Sequence, residues 1–381
     1  MVKDSNKYKS NNIIILFSIG IMFRFLVMVM GHNFDFESYQ IVGEIVSRGG
    51  SVYAETSRYN YGFLFFLIQG FGFSIASHFS ECSTEMYRVY IVSVLTLADL
   101  GIALYLLYKK GTKESLLFFL NPIAIIITGY HNQFDNIAVL LALMAAEMID
   151  TNDEPSRRDV LSISLFTLGM LTKHITAFFF IWMLINNSFS NIKKRIAYSC
   201  VPPAVFLLSF IPFAVQSKEA CQGIIDNVFL YRSYNNVPLL AALLGALNVP
   251  ESYFFLIFVV LLLLLGYVSR NMSVQNGLLL YLASLVAFSS AVANQYLVIP
   301  LAALVLFDNK VFYWLYTTLG FVYCLLNANE LHLADRLINR MPYAASQITT
   351  IAAEGGATVT LMTYILAAFV VVFIIKQKRV I

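Results

Sequence analysis

Asp35 and Glu37 stand in Gly31-His32-Asn33-Phe34-Asp35-Phe36-Glu37-Ser38-Tyr39, directly after the first long apolar run. His131, Gln133 and Asp135 stand in Gly129-Tyr130-His131-Asn132-Gln133-Phe134-Asp135-Asn136, which interrupts a later one. Lys173-His174 lies inside a third apolar stretch, Arg232 follows Tyr231, and Gln295 sits between two further apolar segments. A carboxylate near a membrane boundary can act as a base, its pKa set by partial burial and neighbours. Lysine, arginine and histidine can hold a phosphate or diphosphate, arginine through two parallel bonds. A base for an incoming nucleophile and cations for an anionic leaving group fit transfer from a lipid-linked phosphate donor, whose apolar tail stays in the bilayer.

The elements that position these residues are membrane helices. The chain has 381 residues, 59% hydrophobic and 12% charged, whereas a soluble domain carries about 25% charged residues. Several apolar runs approach or reach the roughly 20 residues that a membrane span needs. Continuous runs of this kind exclude a β-barrel, which shows short alternating segments. A net charge of +3 without a basic, aromatic-laced patch argues against a nucleic-acid partner. Cys82, Cys200, Cys221 and Cys324 have no metal or redox spacing. The run from Ile13 to Met30 lacks a small-residue cleavage site and reads as a retained signal anchor.

Lysine and arginine accumulate on the cytoplasmic side of membrane proteins. Lys3, Lys7 and Lys9, and Lys376, Lys378 and Arg379, therefore put both termini inside. The loops with Lys109, Lys110 and Lys113, with Arg157-Arg158 and with Lys193-Lys194-Arg195 belong there too. A first helix over about 13–30 then delivers Asp35 and Glu37 outside. If Phe63–Phe79 crossed the membrane, the Lys109 loop would lie outside. We therefore read 31–86 as one long external segment with 63–79 juxtamembrane or re-entrant. Helices near 87–108 and 115–129 return and exit, which puts the His131 cluster on the face of Asp35. The stretch 160–186 has basic flanks at both ends, so it is expected to form a hairpin with Thr172-Lys173-His174 at its tip. Irregular backbone at that depth must be buried in protein or line a cavity, and one span with a misplaced basic flank is the alternative. Further helices are expected near 196–216, 253–269, 277–292, 294–307, 311–326 and 358–375. The result is an all-α polytopic bundle of about 11–13 helices, one integral membrane domain over 1–381, with external loops at 217–252 and 327–357.

Each candidate also has a plainer role. Asp35 is equally suited to cap the short helix expected over Phe36–Val46, and Glu37 to be a solvated first-turn carboxylate favoured by the helix dipole. His131 serves as well at a helix end, and Arg232 as an interface anchor. Lys173 is the hardest to dismiss, because a charge inside the membrane is a functional candidate by default. Arg24 and Asp99 fall within the first two helices and are expected to pair structurally.

The ordered motifs resemble the GT-C superfamily of polytopic glycosyltransferases, which use polyprenyl- or dolichyl-phosphate sugars. The likeness is greatest to the dolichyl-phosphate-glucose glucosyltransferases of N-glycan assembly, the GPI mannosyltransferases and bacterial relatives. Phe34-Asp35-Phe36-Glu37 resembles their first-loop Gly-Asp-Tyr-Glu element. Tyr59-Asn60-Tyr61-Gly62 is similar to a Tyr-x-Tyr-x-Pro element, with glycine for proline. Ala98-Asp99-Leu100, Asn121-Pro122, the His131 cluster, Leu171-Thr172-Lys173-His174 and Asn294-Gln295-Tyr296-Leu297 match later elements in order across 13–307.

The resemblance implies a GT-C-like module over 13–216 with a catalytic first loop at 31–86, followed by variable C-terminal helices over 217–381. It implies that Asp35 is the base, with Glu37 beside it. It also implies that His131, Gln133, Asp135, Lys173, His174, Arg232 and Gln295 line the donor side. The expected reaction is inverting transfer of a mannose- or glucose-class hexose from a polyprenyl phosphate to a lipid-linked or cell-envelope glycan at the extracytoplasmic face. A phosphate monoester leaves readily without a metal, so no cofactor is required, although a divalent cation remains compatible with Asp35 and Glu37. A prokaryotic plasma membrane is favoured over the endoplasmic reticulum. The competing classes are a flippase or transporter of lipid-linked sugars and a polymerase that uses polyprenyl diphosphates.

Overall fold

The computed structural model describes residues 2–79, 83–149, 154, 156–231, 238–326 and 355–378. Every regular element among them is helical. Five helices are long and apolar enough to cross a membrane: Asn12–Met30, Ser83–Lys109, Ile192–Ala214, Glu251–Val268 and Thr358–Gln377. The chain is thus an all-helical protein compatible with several membrane crossings.

The N-terminal half carries α1 (Val2–Met30), α2 (Phe34–Ser47), α3 (Val52–Glu55), α4 (Phe63–Ala76) and α5 (Ser83–Lys109). At 1.5 Å per residue the 14 residues of α4 reach about 21 Å, short of a bilayer core of about 30 Å. α4 packs on α2 and α5. The single helix expected over 115–129 is two, α6 (Thr112–Phe119) and α7 (Pro122–Gly129), bent by 46°. Pro122 cannot continue the α6 ladder; Asn121 caps α7 by accepting from the Ile123 N–H at 2.9 Å. Together they would make a sixth crossing.

α8 (Asp135–Met148) and α9 (Arg157–Thr172) follow, then a 3-10 turn at His174–Thr176 and α10 (Phe179–Ile185). The Phe166 ring lies 6.0 Å from that of Phe179 and 5.9 Å from that of Phe180. Thirteen residues of straight helix would separate them by about 20 Å, so the chain turns back and 160–186 is a hairpin. Its two ends return to one place: Asp159, at the start of α9, binds Lys194 at 2.8 Å and the Tyr198 hydroxyl at 2.9 Å, both on α11 (Ile192–Leu208).

The remaining helices are α12 (Ile211–Ala214), α13 (Lys218–Gly223), α14 (Leu239–Ala246), α15 (Phe254–Val268), α16 (Val274–Ala287), α17 (Leu301–Leu306), α18 (Val311–Leu326) and α19 (Gly355–Lys378). Fewer of them are span-length than the 11–13 helices expected; α4, α16 and α18 are shorter apolar helices.

The basic loops gather at one end. Lys109 binds Glu147 at 2.9 Å, and Asp308 bridges Lys110 at 3.3 Å and Lys376 at 2.8 Å. α5, α8 and α9 each run from that end to the other, where Asp35, His131 and Lys173 lie. The buried pair of Arg24 and Asp99, 2.8 Å apart and without solvent exposure, ties α1 to α5 midway.

Candidate active site

The turn from α1 into α2 sets the site. Gly31 has φ +145, a conformation that side chains rarely adopt, and a Cβ there would come within 3.0 Å of the Tyr130 ring. Arg88 on α5 donates to the Gly31 carbonyl and holds the turn in place. Asn33, not Asp35, caps α2: its Oδ1 accepts from the Asp35 N–H at 3.1 Å. That bond fixes the amide, so Nδ2 is the donor that faces Asp35 Oδ2 at 3.0 Å and His131 Nδ1 at 3.2 Å. Asn33 thus links the Asp35 carboxylate to the His131 ring.

Gln133 Nε2 also donates to Asp35 Oδ2. Two amides thus hold one oxygen of a half-buried carboxylate at a helix N-terminus, where negative charge is favoured. Asp35 Oδ1 has no hydrogen-bond partner among the described residues. The caps that Asp35 was equally suited to make belong to its neighbour, which leaves the carboxylate available.

The 131–136 cluster is wholly buried. Asn132 adopts φ +55 and secures this left-handed turn by donating to the carbonyls of Thr128 at 3.1 Å and Gly129 at 3.0 Å. Asn136 reaches the other way, to Asp99, which also accepts from Thr128 at 2.7 Å. Asp135 opens α8 and binds Lys173 at 2.6 Å, both nearly or fully buried. The Lys173 ammonium lies 4.7 Å from the Phe134 ring centre and 5.0 Å from that of Tyr61, a cation–π enclosure. The hairpin tip therefore docks on the first-loop side of the site.

Gly62 makes that docking possible. A Cβ on it would sit 2.1 Å from the Leu171 carbonyl oxygen, so only glycine lets the 59–62 segment lie against the hairpin. His174 follows, its ring between Tyr61 at 6.2 Å and Phe206 at 6.1 Å.

Glu37 is not brought to Asp35. It is exposed, 3.6 Å from the Arg58 guanidinium, which stacks 3.6 Å over Phe34 and donates to the Phe34 carbonyl at 3.2 Å. Gln295 lies half-buried in the 3-10 turn Asn294–Val298, which packs on α7 and α8. Arg232 lies outside the described residues; Tyr231, its neighbour, is within electrostatic range of Tyr61 and Tyr296. No group of three or more potential metal ligands occurs among the described residues.

No family model, curated protein or solved structure matches this chain.

The sequence reading missed Asn33, Arg58 and Tyr39. Asn33 had a signal, an Asx residue just ahead of a helix with acids in its first turn. Arg58 had only its charge in an external segment, and Tyr39 stands one helical turn after Asp35, on the same face of α2.

Proposed function

We propose that this protein is a glycosyltransferase that takes a hexose from a polyprenyl-phosphate donor, with Asp35 as the general base. The observation that carries the reading is the asymmetry of the Asp35 carboxylate: Oδ2 is held by Asn33 and Gln133 while Oδ1 is unpartnered among the described residues. A fixed carboxylate with one open oxygen is suited to take a proton from a hydroxyl. The acceptor oxygen then attacks the anomeric carbon, its proton passes to Asp35, and the bond from that carbon to the phosphate oxygen breaks with its electrons on the lipid phosphate. Attack opposite to departure inverts the anomeric centre.

The leaving phosphate needs positive charge, and Lys173, 2.6 Å from Asp135, is the buried cation nearest the cluster. His174 follows it in the chain, Gln295 lies in the 3-10 turn packed on α7 and α8, and Arg232 is the further cation implied by family resemblance. A preorganised donor of this kind contributes about 3–4 kcal/mol to a transition state. The acceptor is a lipid-linked or envelope glycan, the active end faces away from the basic loops, and those loops lie in the cytoplasm by the charge rule.

The test reconstitutes the protein with radiolabelled polyprenyl-phosphate hexoses and a membrane glycolipid extract, with wild type and Asp35→Asn side by side. Transfer by wild type and its loss in the variant is the expected result. Label that crosses the bilayer without transfer would make the protein a flippase, and transfer only from diphosphate donors would make it a polymerase. Wild-type turnover in Asp35→Asn would remove the base.

A further inference from the structure

The Asp35 carboxylate takes its side-chain hydrogen bonds from two neutral amides. Asn33 Nδ2, at 3.0 Å, and Gln133 Nε2 both donate to Oδ2. Among the described residues no lysine or arginine binds it, because each cation around it is bonded elsewhere. Lys173 holds Asp135 at 2.6 Å, Arg58 faces Glu37 at 3.6 Å on the exposed side of α2, and Arg88 donates to the Gly31 carbonyl. His32, on the same turn, has Nδ1 3.0 Å from the Asn33 carbonyl. The charge of Asp35 also reaches Asp135 and the hydroxyls of Tyr39 and Tyr61.

The kind of donor has a chemical consequence. A bond from an ammonium or a guanidinium is roughly twice as strong as one between neutral groups, but it favours the ionised carboxylate and so makes a poorer base. An amide aims the carboxylate with a smaller loss of basicity. Asn33 does this from a fixed position. Its Oδ1 accepts from the Asp35 N–H at 3.1 Å as the cap of α2, which leaves Nδ2 between Asp35 Oδ2 at 3.0 Å and His131 Nδ1 at 3.2 Å. The cap thus ties the amide to the backbone of the residue whose side chain it holds. Gln133 closes on the same oxygen from the other side, its amide also bonded to the His131 carbonyl at 3.3 Å.

We infer that Asn33 is a positioning residue for the reaction: its amide holds Oδ2 of Asp35 and so presents Oδ1 to the acceptor hydroxyl, a role separable from the helix cap that the same side chain makes. Gln133, which the resemblance places on the donor side, shares that role. The inference rests on Asp35 as the base of the proposed transferase and adds what aims it.

Serine and aspartate cap a helix about as well as asparagine, and alanine does not. Asn33→Ser and Asn33→Asp therefore keep the cap and lose the amide donor, and Asn33→Asp adds a like charge beside Asp35. Asn33→Ala loses cap and donor together. The full chain in nanodiscs is assayed for transfer from citronellyl-phosphate mannose and glucose to the membrane glycolipid extract, as a function of pH, and its thermal midpoint is measured. Asn33→Ser is expected to transfer about 10- to 100-fold more slowly than wild type, with a thermal midpoint near wild type. A general base works only when ionised, so loss of a donor to the ionised form moves the acid limb of the rate profile to higher pH. The like charge in Asn33→Asp should move it further, by about one unit. A residue that only caps α2 would leave the rate and pH profile of both capping variants as in wild type. That result, or capping variants that melt as low as Asn33→Ala, would overturn the positioning role and leave the transferase reading standing. Absence of transfer by wild type from either donor would overturn both.

Discussion

Two buried polar clusters stand within the same bundle and differ in how completely they are satisfied. Around Arg24 and Asp99 the carboxylate is bonded at both oxygens: Arg24 donates from Nε to Asp99 at 2.8 Å and from Nη1 to the carbonyls of Gly20 at 3.0 Å and Phe119 at 2.9 Å. Asp99 in turn accepts from Thr128 and Asn136. Around Asp35 and Asp135 one oxygen of each carboxylate has no hydrogen-bond partner among the described residues. A carboxylate with both oxygens bonded is committed to the fold, whereas one with an open oxygen can still bond to a ligand. The Asp99 carboxylate is fully buried with both oxygens bonded, whereas Asp35 is half-buried with one oxygen open among the described residues.

Substitution should separate them along two axes. Asp99→Ala leaves the Arg24 guanidinium buried without its carboxylate, and loss of one partner of such a pair costs about 3–5 kcal/mol. The expected outcome is a large fall in the thermal midpoint and in the yield of detergent-solubilised folded protein. Asp35→Asn should do the reverse: transfer drops about 10²- to 10⁴-fold, the usual contribution of a general base, with the thermal midpoint near wild type. A variant of Asp35 that unfolds, or one of Asp99 that melts normally, would erase the contrast.

Gly62→Ala sharpens the boundary between the clusters. The added methyl meets the Leu171 carbonyl, so the 59–62 segment must lift from the hairpin, at about 1–3 kcal/mol for overpacking. Because Tyr61 and Lys173 move apart, affinity for a citronellyl-phosphate hexose should fall while the Asp99 network stays intact. Unchanged affinity in calorimetry would mean that the hairpin tip is not part of the site.

The smallest effect belongs to the basic end. Asp308 is depressed below its ordinary value of 3.8, chiefly by hydrogen bonds from Lys376 and Lys110. A carboxylate lowered by folding contributes stability that is present above its unfolded pKa and lost as pH falls through the folded one. Its side chain is 68% exposed, so the contribution is at most a few tenths of a kcal/mol after screening. Asp308→Asn should therefore change the thermal midpoint slightly at pH 7 and not at all near pH 2. A larger effect at the acidic end would point to a partner other than the two lysines.

Several elements were legible in the sequence. The basic flanks of 160–186 favoured a hairpin over a single span, and the ring contacts of Phe166 show one. The basic Lys109 loop led 63–79 to be read as juxtamembrane or re-entrant, and α4 there is shorter than a span-length helix. The break at Asn121-Pro122 was quoted only as a motif, although proline after a capping asparagine is itself a helix start. Glu37 illustrates the limit: two positions after Asp35 on a helix points about 200° away, so it meets Arg58 rather than the cluster.

Composition and charge spacing by themselves determined an all-helical, bilayer-compatible chain with basic loops at one end and its acidic and histidine motifs at the other. Both follow from local rules: apolar runs need a helix to satisfy their backbone in lipid, and the runs alternate between the two ends. Only the tertiary structure decided which polar groups meet. Asp35 with Gln133, Asp135 with Lys173 and Arg24 with Asp99 are separated by 98, 38 and 75 residues. No spacing within a single helix encodes such pairs. They form because close packing at Gly31 and Gly62 brings distant backbones together, and the side chains then bond to whatever that packing places within reach.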